Sequence, residues 1–135
     1  MVVCAQAVID TLNEKELTFD VTEREDGGVN IAVPFRSYRI VLLFDGGDEG
    51  SHVALRVVFE SCPTNRVGGL LVICNSLNAQ YRWLKFYIDD DRDIMIESDA
   101  ILDFETAGDE CYELISRTVS IIEEVKPRIM NGIYG

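Results

Sequence analysis

The first apolar positions, Val2, Ala5, Val8, Ile9 and Leu12, recur at helical spacing, and Gln6, Asp10 and Asn13 point elsewhere. This pattern predicts a short amphipathic helix from about Val3 to Glu14. The period then changes to two. Leu17, Phe19 and Val21 alternate with Thr18, Asp20 and Thr22, and after Asp26-Gly27-Gly28 comes Val29-Asn30-Ile31-Ala32-Val33. Asp-Gly between alternating runs signals a hairpin, because Gly accepts positive φ there. Pro34 lacks an N–H and is expected to stop the ladder. Tyr38–Phe44 is apolar on both faces at Ile40-Val41-Leu42-Leu43-Phe44. Such a run suits a central strand covered on both sides, or on one side by a second subunit. A loop is expected at Asp45–Gly50, followed by a strand from His52 to Phe59 with Val53, Leu55, Val57 and Phe59 on one face.

Pro63-Thr64-Asn65 marks a second helix start, with Thr64 or Asn65 available as N-cap. Val67, Leu70, Leu71, Cys74, Leu77 and Tyr81 then form its apolar stripe. Gly68-Gly69 weakens the first turn but permits close backbone packing. Leu84, Phe86 and Ile88, the run Asp89–Asp93, and Ile94 and Ile96 predict a second hairpin with an acidic tip. The stripe from Cys111 through Ile115, Ile122 and Val125 to Ile129 predicts a long last helix, which Pro127 should kink or end. Adjacent strands in runs imply an α+β fold. The expectation is one domain over 1–135: an antiparallel sheet of five or six strands with three helices, in the order α-β-β-β(-β)-α-β-β-α.

Charge narrows the partners. The net charge is −12, from 24 acidic and 12 basic residues, so a phosphate backbone would be repelled and nucleic acid is not an expected ligand. Leu84 to Leu114 holds eleven acids and two bases, an excess of nine and most of the total. This is either a solvated face or a docking surface for a basic partner. No stretch approaches the roughly 18 apolar residues of a membrane span, and no membrane partner is expected. The N-terminus lacks the basic region of a secretory signal. A cytoplasmic setting follows, in which Cys4, Cys62, Cys74 and Cys111 are expected to be reduced thiols without metal.

Candidate chemistry is sparse. A calcium loop begun at Asp89 has Asp91 and Asp93 in place, but its turn-glycine position is Ile94 and its bidentate-Glu position is Ala100. Zinc ligands need Cys or His at close spacing, and His52 is the one histidine. A nucleophile would need a base and an orienting group, and no serine sits in an elbow motif. No phosphate-binding glycine pattern accompanies the Gly doublets. The sequence thus predicts no catalytic residue, no cofactor and no tight metal site.

The unusual stretch is Asn75 to Phe86. Asn75 and Asn78 share a helix side, and two asparagines in a helix suggest amides bonded to something. Tyr81, Arg82, Trp83 and Lys85 follow at the helix-to-strand joint. One reading is a structural corner, with the amides on loop backbone and Trp83 in the core. The other is an interface patch of Asn75, Asn78, Tyr81, Arg82, Trp83 and Lys85, since Trp, Tyr and Arg are enriched in hot spots.

The run from Asn75-Ser76-Leu77-Asn78 through Tyr81-Arg82-Trp83-Leu84-Lys85-Phe86-Tyr87-Ile88-Asp89-Asp90-Asp91 resembles the YbjN family of small bacterial proteins. So do Leu102–Gly108 with Cys111-Tyr112, and the tail Pro127-Arg128-Ile129-Met130. Arg92 stands where the family pattern has a turn glycine. The resemblance implies a fold similar to type III secretion chaperones, often homodimeric, the label of sensory transduction regulator, and no catalytic residues to carry over. The expected function is therefore a non-enzymatic chaperone-like or regulatory adaptor that binds a protein partner. A small-molecule or metal sensor domain is the alternative, and an enzyme ranks third. A homodimer burying sheet or second-helix surface is expected, because three helices cover one face of such a sheet and leave part of Ile40–Phe44 open.

Overall fold

The computed structural model describes residues 2–47 and 51–135, so the loop expected at Asp45–Gly50 lies partly outside the described residues. The elements in chain order are α1 (Val3–Glu14), β1 (Asp20–Glu23), β2 (Val29–Phe35), β3 (Tyr38–Phe44), β4 (His52–Ser61), α2 (Val67–Gln80), β5 (Lys85–Ile88), β6 (Asp93–Ile101) and α3 (Ala107–Tyr134). A 3₁₀ turn at Thr64–Arg66 leads into α2. All strand pairs are antiparallel, in the order β1-β2-β3-β4-β6-β5. The fold is the expected α+β class, with six strands among the described residues.

Alternation along the strands decides where the core lies. Ile31 and Val33, Ile40, Leu42 and Phe44, Val53, Leu55 and Val57, Phe86, Ile94 and Ile96 all point to one face and are buried. There they meet Leu12 of α1, Leu70 and Leu77 of α2, and Ile115 and Ile122 of α3 in a single cluster. Fully burying such a side chain contributes about 1.5–3 kcal/mol. The helices pack closely: a Cβ on Gly108 would overlap Thr11 Oγ1 and come within 3.0 Å of the Ala7 carbonyl oxygen. Among the described residues, no helix covers the opposite sheet face. Val41 and Leu43 are partly exposed on it, and Val58 is 59% exposed.

Several local expectations are corrected. β1 begins at Asp20 rather than Leu17, because α1 closes with Glu16 at φ 58 and a Leu17 N–H to Leu12 carbonyl bond of 3.0 Å. This is a Schellman-type cap without glycine. Pro34 does not stop the ladder: β2 runs to Phe35, with Pro34 opposite Arg39. Phe35 and Tyr38 close a two-residue turn, so Pro34 falls in a non-hydrogen-bonded pair, and it lies past the end of β1 at the Asp20–Ala32 pair. The β4–β6 register shifts between Val58 and Glu60, which places a bulge at Phe59.

On α2, Leu71 leaves the expected apolar stripe and is 51% exposed, while Leu70, Cys74 and Leu77 are buried and Val67 and Ile73 pack against the core from its margin. Neither Thr64 nor Asn65 caps that helix; the Thr64 hydroxyl accepts a 2.6 Å bond from Arg92 Nη1 instead. α3 does not end at Pro127. Val125, Ile129 and Ile133 are buried on both sides of it, so packing carries the helix past the missing N–H. Among the described residues no helix is long and apolar enough to cross a membrane.

Candidate functional site

The corner between α2 and β5 is built by Asn78. Its Nδ2 donates to the Phe86 carbonyl at 2.9 Å, and its Oδ1 accepts from the Phe86 N–H at 2.7 Å. The amide thus supplies the bonds a further strand would make along the sheet edge. Tyr81 packs its ring 6.0 Å from that of Phe86. Burial, then the Glu124 carboxylate, raises the Tyr81 hydroxyl above its ordinary pKa. Arg128 of α3 donates to Ser76 Oγ at 2.6 Å and ties α3 to α2.

Beyond the corner the expected residues diverge. Asn75 is exposed and makes no side-chain hydrogen bond among the described residues. It shares the outer side of α2 with Leu71 and Val72, which are 51% and 70% exposed. Arg82 and Lys85 are exposed. Trp83 does not fill the core; it is 39% exposed and lines three adjoining hollows. The largest is an open groove of about 600 Å³ between the end of β6 and the first turns of α3. Trp83, Ala100 and Leu114 supply its apolar surface, and Asp99, Asp109, Glu110 and Glu113 its acids. Its one cation, Arg117, bonds Glu113 through Nε at 2.6 Å across one helical turn. The groove residues on α3 were not singled out from the sequence, although the acidic block from Leu84 to Leu114 contained the signal.

On the helix-free sheet face, Glu97 gathers a polar network. Arg56 Nε lies 2.8 Å and Lys85 Nζ 3.8 Å from its carboxylate, and the Tyr87 hydroxyl donates to it at 2.6 Å. Burial first, and then this bond to a carboxylate, pushes the Tyr87 pKa up to about 12.

Groups suited to metal or nucleophilic chemistry are arranged differently. Asp89, Asp91 and Asp93 bring carboxylate oxygens within 4.8 Å of one another at the hairpin tip. Asp89 Oδ1 already accepts the N–H groups of Asp91 and Asp93, at 3.0 and 2.8 Å, as a turn-forming aspartate does. All four cysteines are buried. Burial raises the pKa of Cys62, Cys74 and Cys111, the last to about 12, and so opposes the thiolate a nucleophile needs. His52 Nδ1 lies 3.3 Å from Asp45 Oδ2 at the surface.

A family model described as "Putative bacterial sensory transduction regulator" matches residues 5–130. The chain belongs to the YbjN family. No curated protein matches the sequence. Solved structures show the same fold at low identity. YbjN from E. coli is 14% identical with a TM-score of 0.61, covering 92% of each chain. A chain of the ExsC–ExsE complex is 15% identical with a TM-score of 0.61, covering 94% of this chain and 96% of that one. A chain from the complex of the Yersinia pestis type III secretion chaperone SycH with a stable fragment of YscM2 is 12% identical with a TM-score of 0.54, covering 87% and 98%. This YbjN-family chain therefore has the type III secretion chaperone-like architecture, with the Asn78 corner at the sheet edge and the acidic groove beside it.

Proposed function

We propose that this chain is a cytoplasmic, non-enzymatic adaptor, chaperone-like or regulatory, that acts by binding proteins and associates as a homodimer. The observation that carries the reading is the outer face of α2. In a chain of net charge −12, the 14 residues Val67–Gln80 contain no charged side chain. Leu71 and Val72 nevertheless face outward, and a Cβ on Gly68 or Gly69 would meet nothing within 4 Å. A solvated helix face ordinarily carries charge. An apolar, uncharged one lets two acidic molecules meet without charge repulsion at the contact, and the glycines allow close backbone approach.

The open sheet face at Val41, Leu43 and Val58 is a second uncovered apolar surface. Exposed surfaces of this kind usually mark contacts. The main hollow is an open groove rather than an enclosed polar pocket, which favours a protein segment over a small-molecule sensor. The similar chains from the ExsC–ExsE and SycH–YscM2 structures come from complexes between proteins, which supports a protein partner here.

Affinity capture after cross-linking in native extract tests the reading. It expects the chain itself and a small, reproducible set of other proteins. Recovery of background alone, or native mass spectrometry showing a retained small molecule in place of a protein, would overturn it.

A further inference from the structure

We propose that the groove between β6 and α3 takes an extended segment of a partner protein in which apolar residues alternate with lysine or arginine. The inference rests on the adaptor reading and names the chemistry of its partner.

Three observations converge. The first is an unfinished sheet edge. β5 stops at the Lys85–Glu97 pair, while β6 continues to Ile101, where it is still paired with β4. The Asp89 N–H bonds the Asp93 carbonyl, so every second β6 residue from Asp93 directs its backbone N–H and C=O toward the β5 side. The outward bonding of Phe86 to Asn78 gives the same phase. Asp99 and Ile101 therefore direct these groups to a side where no strand lies among the described residues. An extended segment satisfies such groups by adding to the sheet.

The second is exposed apolar surface at that edge. Ile101 is 85% and Phe104 54% exposed, and the groove beside them runs over Trp83 and Leu114. In the adjoining hollow beside Trp83, the Ser98 hydroxyl is buried without a hydrogen-bond partner among the described residues.

The third is charge. Four carboxylates, those of Asp99, Asp109, Glu110 and Glu113, line the groove against one Arg117, which already bonds Glu113. A basic segment relieves that imbalance, whereas an acidic or nucleic-acid partner would worsen it.

The single tryptophan, Trp83, reports on the site directly. The probe is a capped peptide of about eight residues alternating Leu and Lys, enough for a short strand. Titration into the full chain should saturate and shift Trp83 emission to the blue. N-methylation of alternate peptide amides should weaken binding at least tenfold, as strand addition requires. The double variant Asp99→Lys with Glu113→Lys should weaken it at least tenfold as well. Glu113→Gln alone, a milder change, should weaken it measurably and reduce its salt dependence. Three results would overturn the proposal: no saturable Trp83 shift, an equal shift from the peptide with Glu in place of Lys, or unchanged affinity in both variants. The adaptor reading fails separately, when capture from extract recovers no protein; if capture succeeds and is equal for wild type and the double variant, only the groove is wrong.

Discussion

Asn78 holds Phe86 by both of its backbone groups, through bonds of 2.9 and 2.7 Å. One helical side chain thereby satisfies the outward backbone groups of Phe86 on the sheet edge that β5 presents. An unprotected edge pairs readily with other chains. The clamp closes the edge at Phe86, and the last residues of β6, beside Trp83, lie beyond its reach.

Asn78→Ala removes both bonds at once. We expect a loss of about 1–3 kcal/mol, the cost of leaving backbone groups poorly satisfied, read as a lower urea midpoint. Amide exchange at Phe86 should accelerate more than at Ile96 in the neighbouring strand. Unchanged exchange at Phe86 would show that Asn78 does not hold the edge.

Arg92 occupies a left-handed position at the hairpin tip, with φ 61. A non-glycine residue pays about 1–2 kcal/mol there. Its side chain recovers part of this through the 2.6 Å bond to Thr64 Oγ1, which is exposed. Arg92→Gly should therefore raise stability by up to about 1 kcal/mol. A clear loss in thermal or urea unfolding would mean that the link to Thr64 outweighs the backbone strain.

Tyr87 gives the fold an alkaline limit. Its pKa is raised to about 12, against about 10 in an unfolded chain. The folded state holds the proton more tightly, so the contribution is fully present below pH ~10 and is lost as pH rises toward ~12. Urea unfolding across this window should show stability falling more steeply for the wild type than for Tyr87→Phe. Parallel curves would contradict the assignment.

The sequence revealed the architecture where alternation is clean, as at Val53–Val57; Ile40–Phe44 is apolar on both faces in sequence, and the structure shows that Ile40, Leu42 and Phe44 are its buried members. Asp26-Gly27 marked its turn, with Gly27 at φ 88. Arg36-Ser37 did not, although both residues adopt positive φ, 49 and 77. No local propensity announces such a turn; pairing across β2 and β3 imposes it. Pro34 and Pro127 misled for the same reason, since tertiary packing and pair phase outweighed a missing N–H. At the candidate site, two helical asparagines suggested amides in use. The structure bears this out for Asn78, bonded to Phe86, and not for Asn75, which makes no side-chain hydrogen bond among the described residues. The groove escaped notice because β6 and α3 meet only in space.

The outer face of α2 carries the central claim, and light scattering across micromolar concentrations tests it most directly. The wild-type chain should have the mass of two 15.2 kDa subunits. Val72→Glu, which places charge on that face, should reduce the mass to one subunit with its circular dichroism unchanged, while Val58→Glu on the open sheet face should remain a dimer. A wild-type mass of one subunit that does not change as concentration rises would contradict the account.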